Sequence, residues 1–352
     1  MQAQFSESDL SIADAIPKVE LHCHVEGALR PPTAIELATR HGLPLPERMA
    51  SRDERRGALT DYGSLNDFLD DYWKGQMLLQ TPDDWYRLAY ESILDGAARG
   101  LRYRESFFTP ARLLAAGQTL DSIVSGLSRG LADAEADTGA AGVLICDMDR
   151  AYGAAAGLQL VQELVALRPR TVIGVGIDST ELGVDLREYA EALRLAKRGG
   201  FRIATHAGED TGPENIRIAL SMGVERIDHG LSVLEDPELV REVGDRVIPF
   251  TVCPSSNELI AKKTTIQTHP LRRMFDQGVL VSVNTDDPGF TGVDLGMEYA
   301  LLLENGWTLD GVQQLAEDAV TSSFLEPAAK FGLYQEIEQH FAALGSQAGG
   351  RG

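Results

Sequence analysis

Short apolar, β-branched runs recur along the whole chain: KVELHCH (18–24), LRYRESFF (101–108), AGVLICDMD (141–149), TVIGVGIDS (171–179), FRIATHAG (201–208), VERIDHG (224–230), VIPFTVCP (247–254) and VLVSVNTDD (279–287). Runs of this length and composition read as strands. Most gaps between them carry helical spacing. Thr81-Pro82-Asp83-Asp84 supplies an N-cap, a proline at the first helical position and acids on the positive helix end, and the helix it opens is expected to run to Arg99 and stop at Gly100. Leu120, Ile123, Val124, Leu127 and Leu131 follow a helical repeat, and further helices fit 184–199, 213–222, 235–243, 295–306 and 308–319. Eight strands alternating with helices predict an α/β fold, a (β/α)8 TIM barrel. A doubly wound open sheet would fit six strands better and would want a Gly-rich phosphate turn after the first strand. HCHVEGALRP is no such turn, and GVG at 174–176 lacks the third glycine.

Two segments fall outside this alternation. The polar, Pro-containing stretch 42–64 follows the first strand and its short helix, and leads into SLNDFLDDYW, where Leu65, Phe68, Leu69 and Tyr72 share one face. In a barrel, an excursion after strand one lies over the C-terminal mouth, so 42–75 is expected to be a helical lid, the alternative being a helix packed on the barrel's outside. The reading is of a single catalytic domain over 1–342 and a disordered tail over 343–352, ALGSQAGGRG from Ala343 onward.

Composition narrows the partners. The 352 residues are 43% hydrophobic, ample for a core, and carry 32 Lys+Arg against 53 Asp+Glu, a net charge of −21. Such a surface repels phosphate backbones and anionic lipid heads, so neither nucleic acid nor membrane is expected as a partner. Cys23, Cys146 and Cys253 sit singly in apolar runs and read as small buried hydrophobes in a reducing compartment. No signal peptide opens the chain and no run approaches the roughly 18 apolar residues of a membrane span, which together point to a cytoplasmic protein.

Active-site groups of a (β/α)8 barrel gather at the C-terminal ends of the strands. Strand one ends in His22-Cys23-His24, strand five in Thr205-His206-Ala207-Gly208-Glu209, strand six in Asp228-His229-Gly230 and strand eight in Asn284-Thr285-Asp286-Asp287-Pro288. Alternation sends His22 and His24 to one face, with Glu26 following if the strand holds that far. Four of the seven histidines thus lie at strand ends, whereas His41, His269 and His340 fall in loops or helices, where solvated or capping roles are expected. Alone, each piece reads as a polar core residue or a turn. Together, three imidazoles and a carboxylate suit a divalent metal such as zinc with one position left for water. Bound zinc lowers the pKa of water to about 7. A hydrolase then needs one group to orient or deprotonate that water and a proton donor for the substrate, and His229 and Glu209 are placed for these tasks.

The ordered set PKVELHCHVEG, THAGED, RIDHG, CPSSN and NTDDP resembles the adenosine/adenine deaminase family of the amidohydrolase superfamily, over about Ile16 to Tyr334. The resemblance implies one zinc ion per subunit held by His22, His24, His206 and Asp286, with His229 assisting the water, Glu209 protonating purine N1 and Asp287 bonding N7. Nucleic-acid-editing zinc deaminases pair H-x-E with P-C-x-x-C; that pairing is absent here. Within the family, Glu26, Asp178-Ser179-Thr180-Glu181 and RIDHG are similar to the branch acting on the free base. Glu26 would crowd a sugar, the Ser179 backbone would lie near N3, and Asp178 and Glu181 stand between substrate contact and structural roles. Phe68 and Leu69 would form an apolar wall over the purine. Ser255 and DDPGFTG depart from that branch's usual CPLSN and DDPAYFGG. The expected reaction is adenine to hypoxanthine plus ammonia, with adenosine or another 6-aminopurine nucleoside as the alternative substrate. A hydrolase of another C–N or ester bond, or a non-catalytic purine-binding protein, are the readings of another class. Homo-oligomer formation is left open.

Overall fold

Eight strands form one parallel sheet in chain order: β1 (Lys18–His24), β2 (Leu101–Phe108), β3 (Ala141–Asp149), β4 (Val172–Asp178), β5 (Arg202–Ala207), β6 (Arg226–His229), β7 (Pro249–Val252) and β8 (Leu280–Val283). The structure is a computed structural model that describes residues 6–50, 62, 64–261 and 264–349. Each strand pairs in parallel with the next, as in His206 opposite Asp228 and Thr251 opposite Ser282. The sheet nearly closes on itself where β1 meets the end of β8: His24 N donates to Asp286 O at 2.9 Å, and Asp286 N to His22 O at 3.1 Å. Below this, the Asn284 side chain stands in for backbone, its Oδ1 accepting from Leu21 N (2.7 Å) and His22 N (3.2 Å). The seam of the (β/α)8 barrel therefore runs through the expected metal cluster.

The first three strands match their expected limits, and the last five are shorter by two to five residues. Strand pairing stops where the chain turns into the loops of the mouth. A register shift lies between Glu20 and Cys23 in the β1–β2 pairing. Glu20 pairs with Arg104, which reaches Ser92 of the helix Pro82–Ala97, while His22 packs against His206 and His229. The strand ends at His24, and Glu26 belongs to the 3-10 turn Glu26–Ala28 rather than to an extension of β1.

The helix opened by Thr81 carries the expected capping box and ends at Ala97. Three helices of nine or more residues were not anticipated by the periodic pattern, Glu7–Ala15, Gly153–Leu167 and Pro327–Gly349, nor were several shorter ones such as Ala111–Ala115 and Leu271–Asp276. Helix Pro327–Gly349 differs from the expected disordered tail over 343–352, of which 350–352 lie outside the described residues. Residues 343–349 continue the helix, which anchors through buried Ile337 and Phe341, and Leu344 also packs on the core. The segment 42–75 lies partly outside the described residues. Its described C-terminal part is the helix Leu65–Gln76, opened by Ser64, whose Oγ accepts from Asp67 N. Phe68 and Tyr72 of this helix are buried and meet Phe290 at ring separations of 5.7 and 5.6 Å. Among the described residues no helix is long and apolar enough to cross a membrane.

Candidate active site

The strand-end residues converge at the C-terminal mouth. His22 Nε2 lies 3.2 Å from Asp286 Oδ1, His24 Nε2 3.5 Å from the same oxygen, and His24 Nε2 3.2 Å from His206 Nε2. A tetrahedral zinc with ligands at 2.0–2.1 Å separates those ligands from one another by about 3.3 Å. The spacings therefore fit one such ion, and the donor set suits it.

The atoms behind the cluster set the tautomers. Thr251 Oγ1 donates to Asp228 Oδ1 at 2.7 Å, so at 2.9 Å it accepts from His22 Nδ1 and leaves a lone pair on His22 Nε2. His206 Nδ1 faces the Ile177 carbonyl at 3.2 Å, with the same result. His22 Nε2 is buried with no hydrogen-bond partner, an orphaned acceptor that a cation would satisfy. Burial pushes His22 down to about 3 and His24 to about 4, and holds His206 well below its usual range, so all three are neutral ligands. Burial opposes ionisation of Asp286, but His22, with His229 and His24 behind it, holds this carboxyl well below the usual range. Ser256 Oγ donates to its Oδ2 at 2.7 Å.

Backbone conformation singles out the same places. Five non-glycine residues among those described have positive φ, and three of them are Ser179 (67°), His229 (61°) and Asp286 (64°). Left-handed backbone at residues with side chains costs of order 1–3 kcal/mol each. The surrounding hydrogen bonds hold these side chains at the mouth against that cost.

Beside the cluster stand the two expected acid–base groups. His229 Nε2 lies 3.6 Å from Glu209 Oε2 and 3.8 Å from Asp286 Oδ2. Burial pushes the Glu209 carboxyl up to about 7, so it carries a proton near neutral pH and can act as an acid. Glu181, which by sequence stands between substrate contact and a structural role, makes structural contacts. Its carboxylate accepts from the backbone N–H groups of Gly208, Glu209 and Asp210, from Thr211 Oγ1 and from Asn215 Nδ2, and so shapes the loop that carries Glu209.

The cavity over the cluster is lined by His24, His206, Glu209, His229, Asp286 and Asp287, by Asp178 and Ser179, and by Phe68 and Leu69 from the helix above. Asp287 packs so closely on Gly27 that a Cβ there would lie 2.0 Å from its Oδ1, which only glycine permits. Asp178 accepts from Thr109 Oγ1. Burial and then Asp149 raise its carboxyl well above the usual range, and burial and Asp286 do the same to Asp287. Glu26 differs from expectation, since it does not line the cavity. Buried behind it, its Oε1 accepts from Gln76 Nε2 and Thr109 N, both at 3.0 Å, which ties the helix Leu65–Gln76 to the end of β2.

Three further residues touch this machinery without having been singled out for it. Ser256 braces Asp286, as above. Arg150 donates to the carbonyl oxygens of Ser179 (2.7 Å) and His206 (2.5 Å), fixing two strand ends from inside. His269, expected to be solvated or capping, does accept from the Leu271 N–H that opens the helix Leu271–Asp276, but it is buried and also contacts Asn257. Ser256 lies in the CPSSN motif, whereas nothing local marks Arg150 or His269 for this site, because the contacts that matter are 12 to 56 positions away in the chain.

A (β/α)8 barrel with a His3Asp cluster and an adjoining acid at its mouth defines a metal-dependent aminohydrolase. The adenosine deaminase family matches residues 17–340, and the chain belongs to that family. It is 33% identical over 335 residues to the adenine deaminase of Rhodospirillum rubrum, covering 94% of this chain and 98% of that one. With the adenine deaminase of Streptomyces coelicolor the identity is 36% over 313 residues, 88% and 91% of the two chains. The crystal structure of adenine deaminase from Arthrobacter aurescens superposes with a TM-score of 0.86 at 32% identity, over 92% of this chain and 99% of that one. An amidohydrolase from Burkhoderia ambifaria with bound Zn does so with a TM-score of 0.86 at 29% identity, over 97% and 96%.

Proposed function

We propose that this enzyme converts adenine to hypoxanthine and ammonia, using one zinc ion per subunit held by His22, His24, His206 and Asp286. The observation that carries the reading is the 3.2–3.5 Å spacing of four ligand atoms beside Glu209. Relatives of 32–36% identity named adenine deaminase support the choice of base.

When bound, the zinc supplies a Lewis acid and an acidified water. The protein's own groups do the rest. Glu209, protonated near neutral pH, gives its proton to purine N1, which draws electron density from C6. His229 orients the attacking water toward C6; as its oxygen bonds C6, one of the water's protons returns to Glu209 and the other goes to the amino group, whose C–N bond breaks to release ammonia. Asp287 bonds N7, and Asp178 with the Ser179 backbone faces the opposite edge of the ring. Phe68 and Leu69 press on the purine from the lid helix and exclude bulk water. Among the described residues lining the cavity the carboxylates Asp178, Glu209, Asp286 and Asp287 face no Lys or Arg, which disfavours a phosphorylated substrate. This agrees with a cytoplasmic enzyme of small-molecule substrates.

Ammonia release measured across adenine, adenosine and AMP with the zinc-loaded enzyme tests the reading. The expected order in kcat/KM is adenine far above adenosine, with AMP inert. A large preference for adenosine would overturn the substrate, and no ammonia from any aminopurine would overturn the reaction.

A further inference from the structure

His269 lies on no strand end, yet a continuous series of hydrogen bonds joins it to both acid–base groups. The series begins at an unambiguous donor, the backbone N–H of Leu271, which bonds His269 Nδ1 at 3.1 Å. A backbone N–H cannot accept, so His269 Nδ1 is the acceptor and the neutral ring carries its proton on Nε2. His269 is 8% exposed, and burial keeps it neutral, pushing its pKa down to about 3. Nε2–H then donates to Asn257 Oδ1 at 3.1 Å. That contact fixes which way the Asn257 amide faces. Its Nδ2 is turned to the other side, where it stands 3.2 Å from Glu209 Oε1 and 3.2 Å from His229 Nδ1. An amide nitrogen only donates, and it has two hydrogens for these two acceptors.

We infer that the His269–Asn257 pair is the positioning device of the active site: it pins Glu209 by Oε1 and holds His229 as the Nε2–H tautomer. The inference rests on the roles given above to Glu209 and His229. Its consequences are specific. With Nδ1 accepting from Asn257, His229 presents a donor at Nε2, the atom that faces Glu209 Oε2 and Asp286 Oδ2. A second proton on Nδ1 would set two donors against each other. His229 therefore steers the attacking water by donating to its oxygen. Glu209, with Oε1 occupied, has Oε2 free to carry the transferable proton. Because Asn257 is fully buried, no solvent replaces the bond if His269 is lost.

The test combines kinetics with a spectroscopic readout. In His269→Phe, kcat for adenine should fall about 10²-fold, as expected when a reacting group is displaced by an ångström or less. KM and bound zinc should hardly change. His269→Gln, whose amide both accepts from Leu271 and donates to Asn257, should recover most of kcat. Asn257→Asp, which cannot donate, should be worse than His269→Phe. Nitrogen-15 spectra of histidine-labelled protein, recorded with and without zinc, should show His229 and His269 protonated at Nε2 and bare at Nδ1, with the His229 pattern changed in His269→Phe. Circular dichroism and melting curves of each variant separate misfolding from displacement. An Nδ1–H tautomer at His229, or wild-type kcat in His269→Phe, would overturn the inference. Should the enzyme release no ammonia from adenine, the tautomers still decide the positioning claim independently of the substrate.

Discussion

The Nε2 atoms of His24 and His206 lie 3.2 Å apart inside the barrel mouth. His206 spends its Nδ1 proton on Ile177 O, so its Nε2 is a lone pair. With a cation between them, both rings ligate. Without one, His24 must adopt the Nε2–H tautomer and donate to His206. Metal removal thus exchanges ligand bonds for a single hydrogen bond, and the barrel survives with a lower melting temperature. Zinc present at about 1,000 times its Kd stabilises a folded state by about 4 kcal/mol. Chelation is expected to abolish ammonia release and lower Tm by several degrees, with one equivalent of zinc restoring both. An unchanged Tm would count against the site.

The support behind the ligands is open to the same measurement. Thr251 links His22 to Asp228, and Ser256 holds the far oxygen of Asp286. Partners of this kind typically govern metal affinity by about 10–100-fold. Thr251→Val and Ser256→Ala should each weaken zinc binding by about that factor in a competitive chelator titration, with the far-ultraviolet spectrum unchanged. Equal affinity in both variants would mean that the ligands orient themselves.

How much of this was written locally in the chain depends on the distance over which each feature is decided. The eight strands and the residues at their ends could be read because β-branched runs and turn signals are local. Helix Gly153–Leu167 could not, since GAAAGLQLVQELVAL is apolar around most of its circumference and the stripe it buries, Gly157, Leu160, Val161 and Leu164, does not stand out from its other apolar positions. Glu26 could be assigned to the right region but not to its partners, because the strand stops two residues earlier and a 3-10 turn redirects the carboxylate to Gln76 and Thr109. Glu181 and His269 act through residues 27–34 and 12 positions away, a relation that exists only once the loops close over the mouth.

The lid helix gives a prediction about binding. Phe68 lines the cavity and packs between Tyr62 and Phe290. Five residues on, Trp73 lies under the Arg112 guanidinium, 4.7 Å from the ring centre, which fastens the helix to the segment after β2. Phe68→Ala removes apolar wall without touching a polar group. A loss of about 1.4 kcal/mol in base binding corresponds to a tenfold rise in KM, and that rise is expected with a smaller change in kcat. If kcat falls alone, the helix gates chemistry rather than holding the purine.

Glu298 provides a prediction about pH. It is fully buried on the helix Leu295–Glu304, with Oε1 accepting from Ser255 N at 3.2 Å and Oε2 unpartnered. Burial pushes its carboxyl up to about 8 from a usual value near 4.5, only partly offset by the Ser255 bonds. Between those two values the folded protein holds a proton that the unfolded chain has lost. The stability this proton confers is therefore complete below about pH 4.5 and drains away as pH rises through 8. Glu298→Gln imitates the protonated carboxyl at every pH, keeping an acceptor for Ser255. Titration of all other groups is common to both proteins and cancels in the difference. Melting curves at pH 5 should nearly coincide, and at pH 9 the variant should melt a few degrees higher. A constant difference across that range would show that Glu298 does not change protonation on unfolding.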